Sequence, residues 1–131
     1  MTFEAHVVTP EREVWSGPVQ QVIARGIDGM VGILNGHAPL LVQLAIGTLR
    51  LERDDGGWLT AVVDGGFLHV TSEGGDTRAD VLATQAELAE EIDVEAARRR
   101  LRELQGRIGA DDDELAKGEI AKALVRIEVA G

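Results

Sequence analysis

Short apolar runs rich in Val, Ile, Leu and Thr fill the first two thirds of the chain, and glycine or proline separates most of them. In the clearest run, Leu49 and Leu51 alternate with polar neighbours, which is the pattern of a strand with one buried and one wet face. On this basis we predict strands at residues 3–9, 19–25, 47–53, 58–63, 67–72 and 77–82.

Gly-Gly pairs lie between several of these runs. Residues 55–57 and 73–76 are predicted to form hairpin turns, because glycine supplies the positive φ that tight turns need. Asp64, Gly65 and Gly66 resemble part of a phosphate-binding loop but lack its Lys-Ser/Thr ending, so a tight turn is predicted there too. Closely spaced strands without intervening helices indicate an antiparallel β-sandwich.

Beyond residue 83 the composition shifts to Ala, Glu, Arg and Leu, which are strong helix formers. Thr84 with Glu87 fits a capping box, and Asp93 offers a second N-cap. We favour a first helix that begins near Asp93, with the preceding residues as a turn, and that ends at Gly106 or Gly109. Its apolar face is predicted to contain Ala97, Leu101, Leu104 and Ile108.

A second helix is predicted to begin at residues 111–114, where Asp-Asp-Asp-Glu supplies caps and negative charge. Its apolar side is predicted to consist of Leu115, Ile120, Leu124 and Ile127. Gly118 should weaken this helix by about 1 kcal/mol relative to alanine. The two short helices indicate an antiparallel hairpin that depends on packing against other elements. The predicted domains are a β-sandwich at residues 1–86 and a hairpin at residues 87–131.

Composition narrows the possible functions. The net charge of −10 leaves no positive surface for nucleic acid or for an anionic membrane. The absence of cysteine excludes disulfides, thiolate metal sites and cysteine nucleophiles. No signal-peptide pattern and no bilayer-spanning apolar run is found, so membrane association is expected only through another protein.

Residues suited to catalysis are few. His6, His37 and His69 lack metal-ligand spacing, and residues 111–114 lack the frame of a calcium loop. We therefore predict no catalytic residues, no metal site and no cofactor. One alternative is a hydrolase that uses His37 with a nearby carboxylate, although no nucleophile accompanies it. Another is a generic sandwich binding domain, which leaves the hairpin unexplained.

One segment is more specific than the rest. Residues 29–41 have the pattern G-x-x-G-I-x-x-G-H-A-P-L-L, and the motifs G-G-F-L-H-V and E-I-D follow at residues 65–70 and 91–93. In this order and spacing, they resemble the epsilon subunits of bacterial F-type ATP synthases, and the resemblance extends over residues 3–129.

The resemblance implies a ten-stranded β-sandwich that binds the gamma subunit and sits on the membrane-embedded c-ring, at the cytoplasmic face of the bacterial cell membrane. Proton flow turns this rotor, and such a subunit couples the rotation to the catalytic αβ subunits without catalysing a reaction. Its C-terminal hairpin folds down on the sandwich or extends along gamma, where it inhibits ATP hydrolysis.

The resemblance also assigns roles to particular positions. Four residues are placed against the polar loops of the c-ring: Gly29, Met30, Gly36 and His37. Many relatives carry an acidic residue where Met30 stands and a proline where Asn35 stands, so apolar or backbone contacts are expected here instead of a charged one. Lys122 and Arg126, four residues apart, are the candidates for inhibitory contact with acidic loops of the catalytic subunits.

Some relatives bind ATP through the motif I/L-D-x-x-R-A at the start of the first helix. Here Ala96 replaces the arginine of that motif, which removes a planar, bidentate phosphate donor. The remaining candidates for nucleotide binding are Asp93, Arg98 and Arg99. A module that senses ATP and locks its hairpin down is therefore the alternative to a purely mechanical coupling subunit.

Overall fold

The computed structural model describes residues 1–107 and 113–130. The strands are β1 (Phe3–Val8), β2 (Glu13–Gly26), β3 (Gly29–Leu34), β4 (Leu40–Arg53), β5 (Trp58–Glu73), β6 (Asp76–Ala83) and β7 (Ala86–Leu88). A 3-10 turn at Ala89–Glu91 leads to the helices α1 (Val94–Gln105) and α2 (Glu114–Ala130). The predicted β body followed by two helices is confirmed.

The strands form a single sheet that closes on itself into a sandwich. Their order is β1-β6-β5-β4-β2-β3, β7 pairs with β5, and β1 also pairs with β2. Every pairing among the described strands is antiparallel except that of β1 with β6, which is parallel. Since β1 is paired on both sides, the two layers are joined and enclose one core.

Three long strands account for most differences from the predicted strands. β2 and β4 each contain 14 residues and β5 contains 16. β2 pairs with β1 along its first half and with β3 along its second, and β5 pairs first with β7 and then with β6. The described residues therefore form seven strands where the resemblance implied ten. The strands β3 and β7 were not among the six predicted segments, since β3 is rich in glycine and β7 has only three residues.

The tight turn predicted at Gly65 and Gly66 is wrong. β5 passes through both residues without a break, and the two predicted strands on either side are one strand. The glycines do have positive φ, at +87° and +124°, so they bend β5 instead of reversing it. The turns at residues 55–57 and 73–76 lie between paired strands, as predicted.

Alternating inward positions build the sandwich core. Fully buried examples from four strands are Val22, Leu49, Leu68 and Val81. Because the chain has only two Phe and two Trp, this core consists mainly of branched aliphatic side chains, which suit pleated strands.

The start of α1 is where the sequence predicted it. Asp93 is the N-cap, and its carboxylate accepts a hydrogen bond of 3.0 Å from the backbone N–H of Ala96. The capping box at Thr84 is wrong, because residues 86–88 pair with β5 as β7 and no helix begins there. The helix ends at Gly106, whose N–H donates back to the carbonyl of Arg102; Gly109 lies outside the described residues.

Replacing Asp93 with alanine is expected to destabilise the first turn of α1 by about 1 kcal/mol, because the N–H of Ala96 loses its acceptor. Hydrogen exchange of the α1 amides measures this effect. Asp93→Asn is the matched control, since asparagine caps helices about as well as aspartate. Equal exchange in both variants would show that the cap does not hold this turn.

The second helix begins at Glu114, and Asp113 accepts a hydrogen bond from the N–H of Leu115. Its predicted apolar side is partly wrong. Leu115 and Leu124 are 82% and 49% exposed, whereas the buried positions are Ala116 and Ala123. Each leucine lies about 100° around the helix from its neighbouring alanine, and the small alanines allow the closer approach of neighbouring elements.

The hairpin lies on the sandwich through one of its helices. α2 packs against α1 on one side and against β4 and β5 on the other. The buried apolar residues of this region are separate from the sandwich core: Val62, Ala97, Leu104, Ala116 and Ala123. Ala97 and Leu104 confirm part of the predicted face of α1, and Ile108 of that face lies outside the described residues. Three of these five side chains are alanine, so polar contacts matter more here than in the core.

Candidate functional sites

A cleft of about 550 Å³ separates the hairpin from the sandwich. Its walls come from the β1–β2 connection, β5, β7 and both helices. Ten charged residues line it: Glu11, Arg12, Asp64, Glu87, Glu91, Asp93, Arg100, Glu119, Lys122 and Arg126. Six of these are acidic and four are basic, so carboxylates predominate.

Arg126 of α2 forms the tightest ion pair in this cleft. Its Nη1 and Nη2 donate to the two carboxylate oxygens of Asp64 at 2.8 Å each, and its Nε donates to Glu87. The Asp64 side chain is only 1% exposed. Burial acts to lower the pKa of Arg126, but the hydrogen bonds and charges of Asp64 and Glu87 outweigh burial and raise this pKa. The helix is thus tied to β5 and β7 by a bidentate, charge-assisted contact.

Three further ion pairs involve cations of the cleft, and in one of them Arg100 Nη1 lies 3.4 Å from a carboxylate oxygen of Glu103. Arg12 donates a hydrogen bond of 2.8 Å to Glu91. This bond, and to a lesser extent a hydrogen bond from the backbone N–H of Leu88, holds the pKa of Glu91 below its ordinary value. Lys122 lies 3.1 Å from Glu119, one turn away on α2. Lining cations are therefore bound by the chain's own carboxylates.

Both candidates for inhibitory contact, Lys122 and Arg126, lie in this cleft in intramolecular ion pairs. The nucleotide candidates are separated by the structure. Asp93 lines the cleft as the cap of α1, whereas Arg98 and Arg99 are exposed and outside its lining. Arg98 instead donates to Glu95 at 2.8 Å.

The four c-ring candidates fall into two groups. Gly29 and Met30 begin β3 and line a hollow of about 350 Å³ that also includes Ile27 and Leu41. Gly36 and His37 follow the other end of β3. A six-residue strand is about 20 Å long, so the two groups cannot contact the same point on a partner.

The sandwich also carries an apolar patch on an outer face. Leu82 is directly opposite Val8 on one neighbouring strand and Phe67 on the other, and Phe67 is opposite Gln43. Leu82 and Phe67 are 50% and 45% exposed. Leu41, two positions from Gln43 along β4, is exposed as well. We call the surface of Val8, Leu41, Phe67 and Leu82 the outer apolar patch.

Among the described residues, no group of three or more His, Asp and Glu could hold a metal ion. No helix in the described part of the chain has the length and apolarity to cross a membrane.

Sequence reasoning missed the partners that hold Arg126. Asp64 was interpreted as part of a turn, and Glu87 as part of a capping box, because each motif is local in sequence. A signal for Asp64 did exist, since a carboxylate that directly follows the apolar run of residues 58–63 is unusual in a strand buried on both faces.

The chain is similar to proteins of one family. The family model described as ATP synthase, Delta/Epsilon chain, beta-sandwich domain matches residues 2–89. An ATP synthase epsilon chain of Thermobifida fusca is 42% identical over 95% of this chain and 88% of that protein. Another, of Desulforamulus reducens, is 40% identical over 98% of this chain and 97% of that protein.

Solved structures agree with this assignment. A chain in the cryo-EM structure of the Euglena gracilis mitochondrial ATP synthase, which contains OSCP, F1 and the c-ring, superposes with a TM-score of 0.77 at 28% identity, over 98% of this chain and 80% of that chain. A chain of the Tetrahymena thermophila central stalk and c-ring shares the fold, with a TM-score of 0.65 at 16% identity, over 100% and 98% of the two chains. The family match, the full-length relatives and the shared fold together show that this chain belongs to the ATP synthase epsilon chain family.

Proposed function

We propose that this protein couples rotation of a c-ring to the catalytic head of a bacterial F-type ATP synthase by binding gamma with its outer apolar patch. As an epsilon chain it is a non-catalytic stalk subunit of that complex. The patch carries the proposal, because apolar side chains from four adjacent strands lie together on one sheet face.

The chemistry of the patch suits a permanent protein partner. Polar side chains border the patch two residues away along the same strands. There His6 of β1 and His69 of β5 both lie opposite Asp80 of β6. An apolar centre with a polar rim is the usual anatomy of a protein interface. Burial of Leu82 and Phe67 against gamma would contribute roughly 25 cal/mol per Å² of apolar surface.

The hollow at the β2–β3 corner is the proposed contact with the c-ring. Ile27 and Met30 are both more than half exposed around it. These side chains offer apolar contact where many relatives offer a carboxylate. Through the two contacts the sandwich would join gamma to the c-ring, and the protein would lie at the cytoplasmic face of the membrane as a peripheral component of the complex.

We further propose that the hairpin inhibits ATP hydrolysis when it leaves the sandwich, with Lys122 and Arg126 directed at acidic loops of the catalytic subunits. The alternative, an ATP sensor, is less well supported. The planar donor that a triphosphate would need is absent at Ala96, and Arg126 is already bound to two carboxylates. Calorimetry of the purified protein with ATP distinguishes the two, because a sensor must release or absorb heat at physiological ATP.

Replacing Leu82 with aspartate is expected to weaken gamma binding at least about tenfold, since the substitution puts a charge in the centre of the proposed interface. Leu34→Asp is the matched control. Leu34 is a leucine of similar exposure, 60%, on β3 and outside the patch. Binding of each full-length variant to gamma is measured by calorimetry. Equal weakening by both substitutions, or by neither, would exclude the patch as the gamma surface.

A further inference from the structure

The contact between hairpin and sandwich contains a charge cluster whose central carboxylate, Asp64, is buried. Asp64 extends from β5, where its backbone N–H donates to the carbonyl of Gln85, so its position is fixed by the sandwich. Arg126 belongs to α2 and moves with the hairpin. The pair is therefore the point at which movement of the hairpin must break a charge-assisted bond.

We infer that Asp64 and Glu87 act as an internal decoy for Arg126, which withholds this cation from the acidic surface of a partner while the hairpin is docked. The inference rests on the proposed inhibitory role of the hairpin and names the residues of the sandwich that control it. The partner that would bind Arg126 is a protein surface that presents carboxylates. A guanidinium can bind such a carboxylate in the same bidentate manner as it binds Asp64.

Docking and inhibition compete because four of the five N–H groups of the guanidinium already donate within the chain. Nε donates to Glu87, Nη1 donates to Asp64 and to the backbone carbonyl of Lys122, and Nη2 donates to the second carboxylate oxygen of Asp64. A partner carboxylate can bind Arg126 only after Asp64 and Glu87 release it. The Arg126 side chain is also only 16% exposed in the docked state, which denies a partner access to it.

The cost of release sets the strength of the decoy. When α2 leaves, Asp64 loses both donors, and its carboxylate must be rehydrated on the surface that the hairpin uncovers. Hydrogen bonds to charged groups contribute more net stability than neutral ones, so their exchange for hydrogen bonds to water disfavours release. The docked state is thus favoured by a specific pair, and Ala116 and Ala123 add only small apolar side chains.

The first test measures docking in the full-length purified protein by hydrogen exchange of the α2 amides. Asp64→Asn is expected to speed this exchange about tenfold, as for the loss of a strong charged hydrogen bond, with exchange in β4 and β6 unchanged. Arg126→Gln should give the same increase, and the double variant should add little to either. The control Arg98→Gln, which breaks an exposed pair with Glu95, should leave α2 unchanged. Unaltered exchange in Asp64→Asn, or full additivity in the double variant, overturns the inference.

The second test measures ATP hydrolysis by the assembled enzyme, and the two variants are expected to change its rate in opposite directions. Asp64→Asn frees the hairpin with its cation intact, so ATP hydrolysis should fall several-fold. Arg126→Gln frees the hairpin without the cation, so hydrolysis should rise. Changes in the same direction would overturn the decoy. Deletion of residues 92–131 distinguishes the inhibitory role of the hairpin from the decoy role of Asp64 and Glu87. If the deletion leaves hydrolysis unaffected, the inhibitory role is wrong. The exchange experiment still decides whether Asp64 holds Arg126.

Discussion

Replacing Gly66 with alanine is expected to lower the free energy of unfolding by about 4 kcal/mol or more, among the largest effects of a single substitution. A Cβ at this position would lie 2.1 Å from the carbonyl oxygen of Leu82 and 2.8 Å from the Cα of Ala83. Both obstacles are backbone atoms of the neighbouring strand β6, so no side-chain rotation relieves the clash. The backbone φ of +124° adds strain for any residue with a Cβ.

Gly74→Ala separates the steric effect from the conformational one. Gly74 also has positive φ, at +58°, but a Cβ there would meet nothing within 4 Å. This control should cost only about 1–2 kcal/mol, the penalty of a left-handed conformation. Urea denaturation of both variants, followed by circular dichroism, gives the comparison. A Gly66 variant as stable as the Gly74 variant would show that β5 and β6 separate easily at the bend.

The bend at Gly66 also shows what local sequence could not establish. Gly65 and Gly66 have positive φ, which glycine permits both in the tight turn that was predicted and in the bend that is observed. Whether such a pair reverses a strand or bends it depends on the strands alongside. β4 continues from Gly47 back to Leu40 and keeps β5 paired on both sides of the bend, which is a tertiary constraint.

Periodicity predicted the helices better than the surfaces that they use. The N-cap at Asp93 was found because capping is encoded within four residues. The apolar side of α2 was misassigned because leucine was given more weight than alanine, whereas contact with two elements at once favoured the small side chains Ala116 and Ala123. Leu115 remains outside, where α2 has barely begun.

The charged residues of the cleft also show that local sequence does not reveal contacts between distant parts of the chain. Asp64 and Arg126 are 62 positions apart, and nothing in either local sequence identifies the other as its partner. The basic residues Lys122 and Arg126 were selected from the sequence for contact with a separate protein. In the docked structure each is bound to a carboxylate of its own chain. An acidic surface of another protein must therefore compete with these carboxylates for Lys122 and Arg126.

Replacing Leu104 with alanine is expected to release α1 from α2, at a cost of about 3 kcal/mol. Leu104 is fully buried and is the largest buried side chain of α1, whose other buried residue is Ala97, and α1 packs mainly against α2. Its surroundings do not include the sandwich core, so the loss should be confined to the hairpin. Hydrogen exchange should become much faster in α1 while the amides of β4 and β5 stay protected.

Leu115→Ala is the control for Leu104→Ala, because Leu115 is 82% exposed and its truncation should change stability by less than about 0.5 kcal/mol. Comparison with Asp64→Asn then separates the two contacts of α2. Loss of Leu104 should free α1 and leave Arg126 bound to Asp64, whereas loss of the Asp64 charge should free α2 from the sandwich and leave it paired with α1. If Leu104→Ala instead exposed the strands and helices together, the hairpin and the sandwich would be one cooperative unit, and a hairpin that moves independently of the β body would be excluded.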